Sequence, residues 1–273
     1  MEKGKRVKAV VITGGKGYIG SNLTGFLIEK GIDVFQFDKV DSRRSDSFVE
    51  QLESIGSNID FVIHLAAFPG IINCMNDFDR ATIDNISTAF NIFKIAYKQR
   101  IPVIFTSSQA AKDPYDNFYA SIKRICEVEA DRLNRLGADI RIFRLTNVYG
   151  GDKYIERKDT VVKKFIVAKK KNHSMIINGD GSQVRDFIHV DDVCDAIYKC
   201  MQREKGFLLP VDIGTGEGVS VKKLAEMVGS MFTFDEKSDT IGIMKSVANI
   251  ERAYKLFGFK AKHKLLTYLK GEC

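Results

Sequence analysis

The sequence predicts an α/β fold, with a doubly wound parallel sheet followed by a smaller C-terminal lobe. Strand-like and helix-like segments alternate along roughly the first 150 residues. The strand-like segments are continuous apolar runs such as "DFVIHLAA", which are typical of strands buried on both faces of a parallel sheet. After about residue 150 the alternation loosens into turns, short strands and helices, which indicates a second lobe.

The elements follow one another in the order that such a sheet requires. We expect a first domain over 1–150 and a second lobe over 151–273, from which some segments return to the first domain. In chain order, the predicted elements are a strand at 9–15, a helix at 20–30, a strand at 33–38, a short helix at 48–55, a strand at 60–67, a long helix at 80–99, a strand at 101–108, a helix that carries Tyr119, and a strand within 139–150.

The composition is that of a globular protein of 273 residues, with 44% hydrophobic and 28% charged residues. No segment approaches the ~18 consecutive apolar residues that a membrane span needs, and the N-terminus shows no signal-peptide pattern. The five cysteines are scattered and odd in number, which favours reduced thiols. The four histidines are also dispersed. We therefore expect a cytoplasmic protein without a metal site and without a membrane partner.

The net charge of +7 is concentrated at 151–171, where eight Lys/Arg stand against three Asp/Glu. A nucleic-acid surface and a polyanionic small substrate would both fit this excess. However, Val161, Val162, Phe165 and Ile166 share one helical face, which leaves the lysines on a solvated face. The sequence therefore predicts that the protein does not bind nucleic acid.

Three glycines follow the first strand at a spacing of three, in "TGGKGYIGSN". Gly14, Gly17 and Gly20 stand between the strand and the first helix. A tight turn there needs positions without a Cβ, so that the backbone can approach a pyrophosphate at the helix N-terminus. The strand–turn–helix context predicts a Rossmann-type dinucleotide site rather than a merely tight turn.

The acid that ends the second strand predicts which dinucleotide binds. Asp38 stands eighteen residues after Gly20, where a carboxylate can accept hydrogen bonds from both adenosine ribose hydroxyls and repel a 2′-phosphate. This favours NAD over NADP. A solvent-facing carboxylate is the alternative, and nearby Lys39, Arg43 and Arg44 leave room for NADP.

Polar groups gather where later strands end. The strand ending in "HLAAFPG" has small residues that would let a dinucleotide lie across the sheet edge, and we assign no chemistry to its His64. The strand ending in "FTSS" places Ser107 and Ser108 at the edge where open α/β sheets bind ligands. Tyr119 and Lys123 follow one short connection later, four residues apart on one helix.

These groups predict an acid–base site. Free tyrosine titrates near ~10, which is too high for a base at neutral pH. A lysine one helical turn away, together with a positive nicotinamide ring, would stabilise the phenolate and lower the pKa of Tyr119. Ser108 would hold a substrate oxygen while Tyr119 takes its proton, and the hydride would pass to NAD. We therefore predict that Ser108, Tyr119 and Lys123 are catalytic.

With these motifs in place, the chain resembles an extended short-chain dehydrogenase/reductase of the NAD-dependent epimerase/dehydratase family, whose members act on nucleotide sugars. The resemblance covers nearly the whole chain and rests on "TGGKGYIG", "HLAA", "FTSS", "YASIK", "RLTNVYG" and "NGDGSQVRDFIHVDD" in the family's order. It implies backbone contacts to the pyrophosphate from Tyr18 and Ile19. It also implies further cofactor contacts from Leu65, Ala66, Ala67, Asn85 and Thr146, and binding of the nucleotide diphosphate by Asn147 and Arg185.

Two of these assignments have plainer alternatives. Arg185 could simply pair with Asp186, its neighbour in the chain. Asp191 and Asp192, at the end of the last motif, are expected to cap the helix that follows rather than bind a ligand.

The resemblance also bears on the reaction. Family dehydratases carry Asp-Glu after the active Ser/Thr and decarboxylases carry Glu, whereas Gln109 and Ala110 stand here. What it implies is epimerisation, most simply 4-epimerisation of a UDP-sugar through a transient 4-keto intermediate. The alternatives are a nucleotide-sugar reductase or dehydrogenase with net NAD(P) turnover, and a non-catalytic dinucleotide-binding protein. Family members commonly form homodimers through two helices each, here those near 80–99 and 119–136.

The chain departs from the family's pattern near the substrate. Only ten residues separate Ser108 from Tyr119, about half the usual number. Asp239 stands where the family usually has an arginine, for which Lys237 or Lys245 could compensate. Ser246 aligns with the position that gates the substituent at the sugar's second carbon. A serine there, with the shortened loop, predicts that N-acetylated nucleotide sugars are accepted.

Overall fold

The computed structural model describes residues 7–38, 59–151, 153–235 and 243–272. The short helix predicted at 48–55 lies outside these ranges. The strands are β1 (Ala9–Thr13), β2 (Asp33–Phe37), β3 (Phe61–His64), β4 (Val103–Ser108), β5 (Ile140–Leu145), β6 (Asn147–Tyr149), β7 (Met175–Asn178), β8 (Val184–His189), β9 (Val211–Ile213), β10 (Gly218–Ser220), β11 (Phe232–Asp235) and β12 (Lys245–Ser246).

The helices alternate with these strands through the first half of the chain. They are α1 (Tyr18–Glu29), α2 (Ile71–Asn76), α3 (Phe78–Ala81), a π-helix (Thr82–Ser87), α4 (Thr88–Gln99), a 3₁₀ turn (Gln109–Lys112), α5 (Phe118–Arg135), α6 (Val161–Lys170), α7 (Val190–Met201), α8 (Val221–Val228), α9 (Glu251–Phe257) and α10 (Leu265–Glu272).

A six-stranded sheet with helices on both faces forms the first lobe. Its order is β2-β1-β3-β4-β5-β9, and every neighbouring pair is parallel. Because side chains alternate across a strand, Val10 and Ile12 pack with residues of α1 and α7, whereas Val11 packs with residues of α4 and α5. The predicted doubly wound α/β fold is confirmed.

The second lobe has small sheets and a core of its own. Strand β8 pairs with β10, β12 and β6, while β7 pairs with β11. Side chains of α6, α8 and α10 pack with Tyr149 and Phe187 in a separate apolar cluster. Strand β9 lies in the large sheet, and α7 packs against it, although both come after residue 150.

The long helix predicted at 80–99 is interrupted by the π-helix. Within it, the side-chain amide of Asn85 donates to the carbonyl of Ala81 at 2.9 Å, and the hydroxyl of Thr88 donates to that of Ile83 at 3.0 Å. These side chains occupy carbonyl oxygens that the helical ladder would otherwise use. The periodicity of the apolar residues gave no sign of this interruption.

Two other sequence expectations have structural counterparts. Helix α6 buries Val162, Phe165 and Ile166, as its apolar spacing predicts. The four described cysteines are free and buried. Among the described helices, none is long and apolar enough to cross a membrane.

Candidate active site

A cleft of about 450 Å³ lies where strands of the large sheet end, and both lobes line it. Because the strands are parallel, their carboxyl ends bring together side chains that are far apart in the chain. Of the residues predicted to be catalytic or to bind cofactor or substrate, eleven line this cleft: Tyr18, Ile19, Leu65, Ala67, Ser108, Tyr119, Lys123, Thr146, Asn147, Arg185 and Ser246.

The glycine turn has the close contacts that a dinucleotide site requires. Gly14 has a φ of 72°, and a Cβ there would stand 2.7 Å from the backbone nitrogen of Ala66. A Cβ on Gly20 would stand 2.1 Å from the carbonyl oxygen of Gly14. Larger residues would therefore push the turn away from β3 and from α1, which begins at Tyr18. The turn fits a pyrophosphate at the N-terminus of this helix.

Asp38 follows β2 directly and lies beside the glycine turn. Its Oδ2 accepts a hydrogen bond from the backbone N–H of Lys16 at 2.9 Å. This contact holds the carboxylate next to the turn, where an adenosine ribose would lie. The basic residues Lys39, Arg43 and Arg44, which left room for NADP, lie outside the described residues.

Asn85 does not line the cleft, although the resemblance implies a cofactor contact. It is 3% exposed, and its side-chain oxygen accepts from the backbone N–H of Phe68 at 3.2 Å. Its side-chain nitrogen donates to the carbonyl oxygens of Phe68 and Ala81. These bonds fasten the loop after β3 to the π-helix, so Asn85 acts on the cleft through that loop.

Ser108 and Tyr119 meet inside the cleft. Both side chains line it, the Ser108 hydroxyl favours the phenolate of Tyr119, and the Ser108 oxygen accepts from the backbone N–H of Ala110 at 3.2 Å. Tyr119 lies in the first turn of α5, where the Asn117 side chain caps the helix by accepting from Ala120. This cap fixes where the helix starts and therefore where the phenol points.

Lys123 is 4% exposed and donates from Nζ to the carbonyl oxygen of Thr106 at 3.1 Å. Its Nζ lies 5.9 Å from the centroid of the Tyr119 ring. Burial lowers the pKa of Lys123, because the charged form loses its hydration.

The pKa of Tyr119 is shifted in the direction opposite to the one expected from the sequence. Burial of the phenol raises its pKa to about 12, and the nearby Cys74 adds to the increase. The hydroxyl of Ser108 and the charge of Arg157 lower the pKa of Tyr119 and offset part of this increase. Lys123 binds a carbonyl instead of the phenol, so the protein by itself does not supply the predicted lowering.

Ser107, the other serine at the end of β4, also lines the cleft, but its hydroxyl is engaged by a buried carboxylate. It donates to Oε1 of Glu127 at 2.7 Å. Glu127 is buried and is also held by two hydrogen bonds from Arg144 and one from Arg124. Adjacent side chains of a strand point to opposite faces, and the hydroxyl of Ser107 is on the side of Glu127. Ser107 therefore belongs to a structural network.

The second lobe supplies the opposite wall of the cleft. Arg185 is half-buried on β8 and donates from Nη1 to the carbonyl oxygen of Val184 at 2.9 Å. Burial lowers its pKa, while Asp116 opposes that shift from the other side of the cleft. Within the described part of the chain no carboxylate lies within ion-pair distance of Arg185. Ser246 pairs with it across β12 and β8.

The alternative in which Arg185 pairs with Asp186 is wrong. Asp186 is fully buried, and its carboxylate accepts from the backbone N–H groups of Thr215, Gly216 and Ala248. Its charge is already compensated, and it faces the opposite side of β8 from Arg185. Of the residues offered in place of the family's arginine, Lys245 is exposed on β12, while Lys237 and Asp239 lie outside the described residues.

The connector formed by residues 153–160 brings Arg157 into the cleft, which the sequence did not indicate. Arg157 is half-buried, and Asp159 accepts two hydrogen bonds from it at 2.5 and 2.9 Å. The connector docks on α1, where the ring of Tyr154 packs against Gly25 so closely that a Cβ would stand 2.2 Å from it. Arg157 reaches the cleft because of this long-range contact. Its place in a basic tract of the sequence therefore gave no sign of a role in the site.

The predicted caps of α7 are corrected by the structure. His189 is the cap, since its Nδ1 accepts from the backbone N–H of Asp191 at 3.2 Å. Asp192 is buried and accepts from the backbone N–H groups of Lys262 and His263, which anchors the segment before α10. Asp192 therefore joins the segment before α10 to the start of α7.

Two histidine environments bear on the expectation of no metal site. Potential ligand atoms of His189, Asp191 and His263 lie within 4.8 Å of one another. The two rings stack at 4.4 Å, so their in-plane lone pairs do not converge on one point. His64 is buried against Thr13, and burial lowers its pKa to about 3, so it is a neutral core residue.

Comparisons with known proteins identify the family of this chain. A model of the NAD dependent epimerase/dehydratase family matches residues 10–211. A putative UDP-glucose 4-epimerase of Methanocaldococcus jannaschii is 29% identical over 252 residues, covering 80% of this chain and 81% of that protein. A UDP-N-acetyl-alpha-D-glucosaminuronate decarboxylase of Bacillus cytotoxicus is 25% identical over 253 residues, covering 80% and 78%. The solved UDP-glucuronic acid 4-epimerase from Bacillus cereus, in complex with UDP-glucuronic acid and NAD, has a TM-score of 0.83 at 22% identity and 97% coverage of each chain.

Proposed function

The chain belongs to the NAD dependent epimerase/dehydratase family, and on that premise we propose that it is a 4-epimerase of UDP-sugars. The cofactor of the family is NAD, and the glycine turn and Asp38 have the geometry to hold it. The relatives share this fold but differ in reaction, since one is a putative 4-epimerase and another is a decarboxylase. The choice of reaction therefore rests on the residues around Ser108.

The observation that favours epimerisation is a serine–tyrosine pair without an acid directly after the serine. Gln109 occupies that position, is 4% exposed, and donates its amide to the carbonyl oxygen of Arg144 at 3.2 Å. Gln109 borders the cleft, but its uncharged amide offers neither the acid nor the base that elimination needs. Oxidation and re-reduction at one sugar carbon need only Ser108, Tyr119, Lys123 and bound NAD.

In this mechanism the residues of the chain bind the sugar and move one proton. The hydroxyl of Ser108 holds the sugar oxygen at the fourth carbon, and Tyr119 takes its proton and later returns it. Lys123 is held by Thr106 within reach of both the phenol and the cofactor site. Bound NAD supplies the acceptor for the hydride and, through its positive ring, the charge that lowers the pKa of the phenol.

The opposite wall has the chemistry to bind the nucleotide diphosphate. Arg185 faces the cleft with a guanidinium group whose donors suit phosphate oxygens, and Asn147 at the start of β6 adds an amide. Ser246 and the short connection before Tyr119 leave space near the sugar. We therefore propose that N-acetylated UDP-sugars are substrates.

A homodimer completes the proposal. Helices α4 and α5, with the residue that ends α5, expose four large apolar side chains, which a second copy would cover: Tyr97, Ile125, Val128 and Leu136. Light scattering of the wild type and of Val128→Asp tests this, because a charge in the interface would give monomers. A monomeric wild type would remove the dimer and leave the catalytic proposal intact. The cytoplasmic location stays a prediction.

The reaction is tested with purified protein and a panel of UDP-sugars, first without added cofactor and then with added NAD or NADPH. An epimerase interconverts sugars of equal mass, which chromatography with mass detection separates. A reductase or dehydrogenase changes the mass by a pair of hydrogens and consumes cofactor, and a decarboxylase releases carbon dioxide. Either of these results, in place of equal-mass products, would contradict the proposed 4-epimerase.

A further inference from the structure

A second concave surface lies on the far side of the connector from the catalytic cleft. This surface, the basic groove, has a volume of about 660 Å³ and a cationic rim of Lys158, Lys164 and Lys171, beside which His173 lies. Its floor is apolar and is formed by Val167, Ala168 and Met175. The size lies within the range of small-molecule sites.

The charges at the rim are not used by the fold. Lys158, Lys164 and Lys171 are exposed, and none forms an ion pair with a residue in the described ranges. The other cation of the groove, Lys163, differs because it is paired with Glu156 and Glu272. Glu156, the acid of the groove, is therefore already neutralised. An anion in the groove would meet three lysines that form no ion pair with any described residue.

The connector separates the basic groove from the catalytic cleft. Its successive side chains alternate, since Arg157 and Asp159 line the cleft while Glu156 and Lys158 line the groove. Thr160 then caps α6, which carries Lys164. A ligand bound to Lys158 and Lys164 would therefore restrain the segment that positions Arg157 beside Tyr119.

We propose that the basic groove binds a small organic phosphate. Its phosphate would lie on the lysine rim, where charge-assisted hydrogen bonds are strong. Its apolar part would cover Val167 and Met175, which distinguishes it from an inorganic ion. This site is separate from the one proposed for the UDP-sugar and does not depend on the catalytic function.

The test compares 1-naphthyl phosphate with inorganic phosphate by calorimetry. Naphthyl phosphate should bind more tightly, because only it has an apolar part for the floor. Lys164→Glu with Lys171→Glu should weaken its binding at least about tenfold, through the loss of two charge-assisted contacts. The matched control is Lys94→Glu with Lys98→Glu, at two exposed lysines of α4. It should leave the binding of naphthyl phosphate unchanged. Equal loss in both double variants would overturn the proposal.

The catalytic cleft is the main competing site for the probe. Arg185→Ala should leave the binding of naphthyl phosphate unchanged, and its loss there would overturn the proposal. Hydrogen exchange gives a readout on the unaltered protein. Protection by the probe is expected at 156–171, and protection confined to 243–248 would instead assign the probe to the cleft.

A further arm identifies the source of the organic phosphate. Vesicles of phosphatidic acid in phosphatidylcholine present the same phosphate on a lipid surface. Sedimentation of the wild type with them, lost in the Lys164/Lys171 double variant, would make the ligand a lipid headgroup. Naphthyl phosphate binding without sedimentation would make it a soluble metabolite.

Discussion

The two walls of the catalytic cleft hold their functional groups in different ways. On the wall formed by the large sheet, Lys123 is almost fully buried and bonded to Thr106, and the Ser108 hydroxyl accepts from the backbone N–H of Ala110. On the wall formed by the second lobe, Arg185 and Ser246 are half-buried on β8 and β12. Among the described residues, the guanidinium of Arg185 is bonded to backbone carbonyl groups and not to a carboxylate.

This difference separates the chemistry from recognition. Proton transfer needs atoms held within a few tenths of an ångström, which buried and hydrogen-bonded side chains on regular elements provide. Binding of a substrate tolerates adjustment, and half-exposed side chains can move toward a ligand. Substitutions in the sheet wall should therefore change turnover, whereas those in the second-lobe wall should change affinity and selectivity.

The largest effect is expected from Tyr119→Phe, which removes one oxygen from the sheet wall. We expect kcat to fall at least about 100-fold, because the acid–base group is lost, with little change in NAD binding. Steady-state kinetics and a cofactor titration measure both. Tyr115→Phe is the control, since Tyr115 is 96% exposed on the neighbouring loop. Near-wild-type activity in Tyr119→Phe would exclude the proposed mechanism.

The same tyrosine sharpens the comparison through its pKa. Burial raises the pKa of Tyr119 to about 12 in the protein alone, so its phenolate should form only above the usual range of tyrosine. Bound NAD should lower that pKa, because the positive ring favours the phenolate. Ultraviolet difference titration with and without NAD, with Tyr119→Phe as the blank, measures the shift. An unchanged titration on adding NAD would contradict the role given to the cofactor's charge.

Arg185→Ala tests the second-lobe wall. The KM for the UDP-sugar should rise about ten- to 100-fold, since a charge-assisted phosphate contact is worth about 1.5–3 kcal/mol. The affinity for NAD should stay the same. Arg185→Lys should recover part of the loss, because it keeps the charge without the planar fork. If NAD affinity fell instead, Arg185 would belong to the cofactor site.

A smaller effect is expected from Asp38→Ala at the cofactor end of the sheet wall. NAD should bind about tenfold more weakly, and its preference over NADP should narrow, because the ribose acceptor and its repulsion of a 2′-phosphate both disappear. Asp33→Ala is the matched control, as Asp33 is exposed at the other end of the same strand. An unchanged cofactor preference would show that Asp38 does not face the ribose.

The smallest effect concerns selectivity at Ser246. A tyrosine there should lower kcat/KM for UDP-N-acetylglucosamine about tenfold more than for UDP-glucose, by steric exclusion of the N-acetyl group. Ser246→Ala should leave the ratio of the two sugars unchanged, since it adds no bulk. An equal loss for both sugars in Ser246→Tyr would show that this position is not the gate.

The sequence by itself determined the features that depend on local order along the chain. The apolar runs predicted the doubly wound sheet, because the period of side chains along a strand is set by covalent geometry. The glycine turn between β1 and α1 was recognisable from the spacing of its three glycines between a strand and a helix, although the close contact of Gly14 is with Ala66, after β3. Ser108, Tyr119 and Lys123 lie within sixteen consecutive residues, and the cleft contains all three.

The tertiary structure alone decided which distant groups meet. Arg157 reaches the cleft because Tyr154 packs against Gly25, more than a hundred residues earlier in the chain. Ser107 and Asn85 are engaged by structural partners, and the pKa of Tyr119 depends on how deeply the surrounding loops bury it. Contacts of this kind are set by packing between elements and by desolvation, and neither leaves a periodic trace in the sequence.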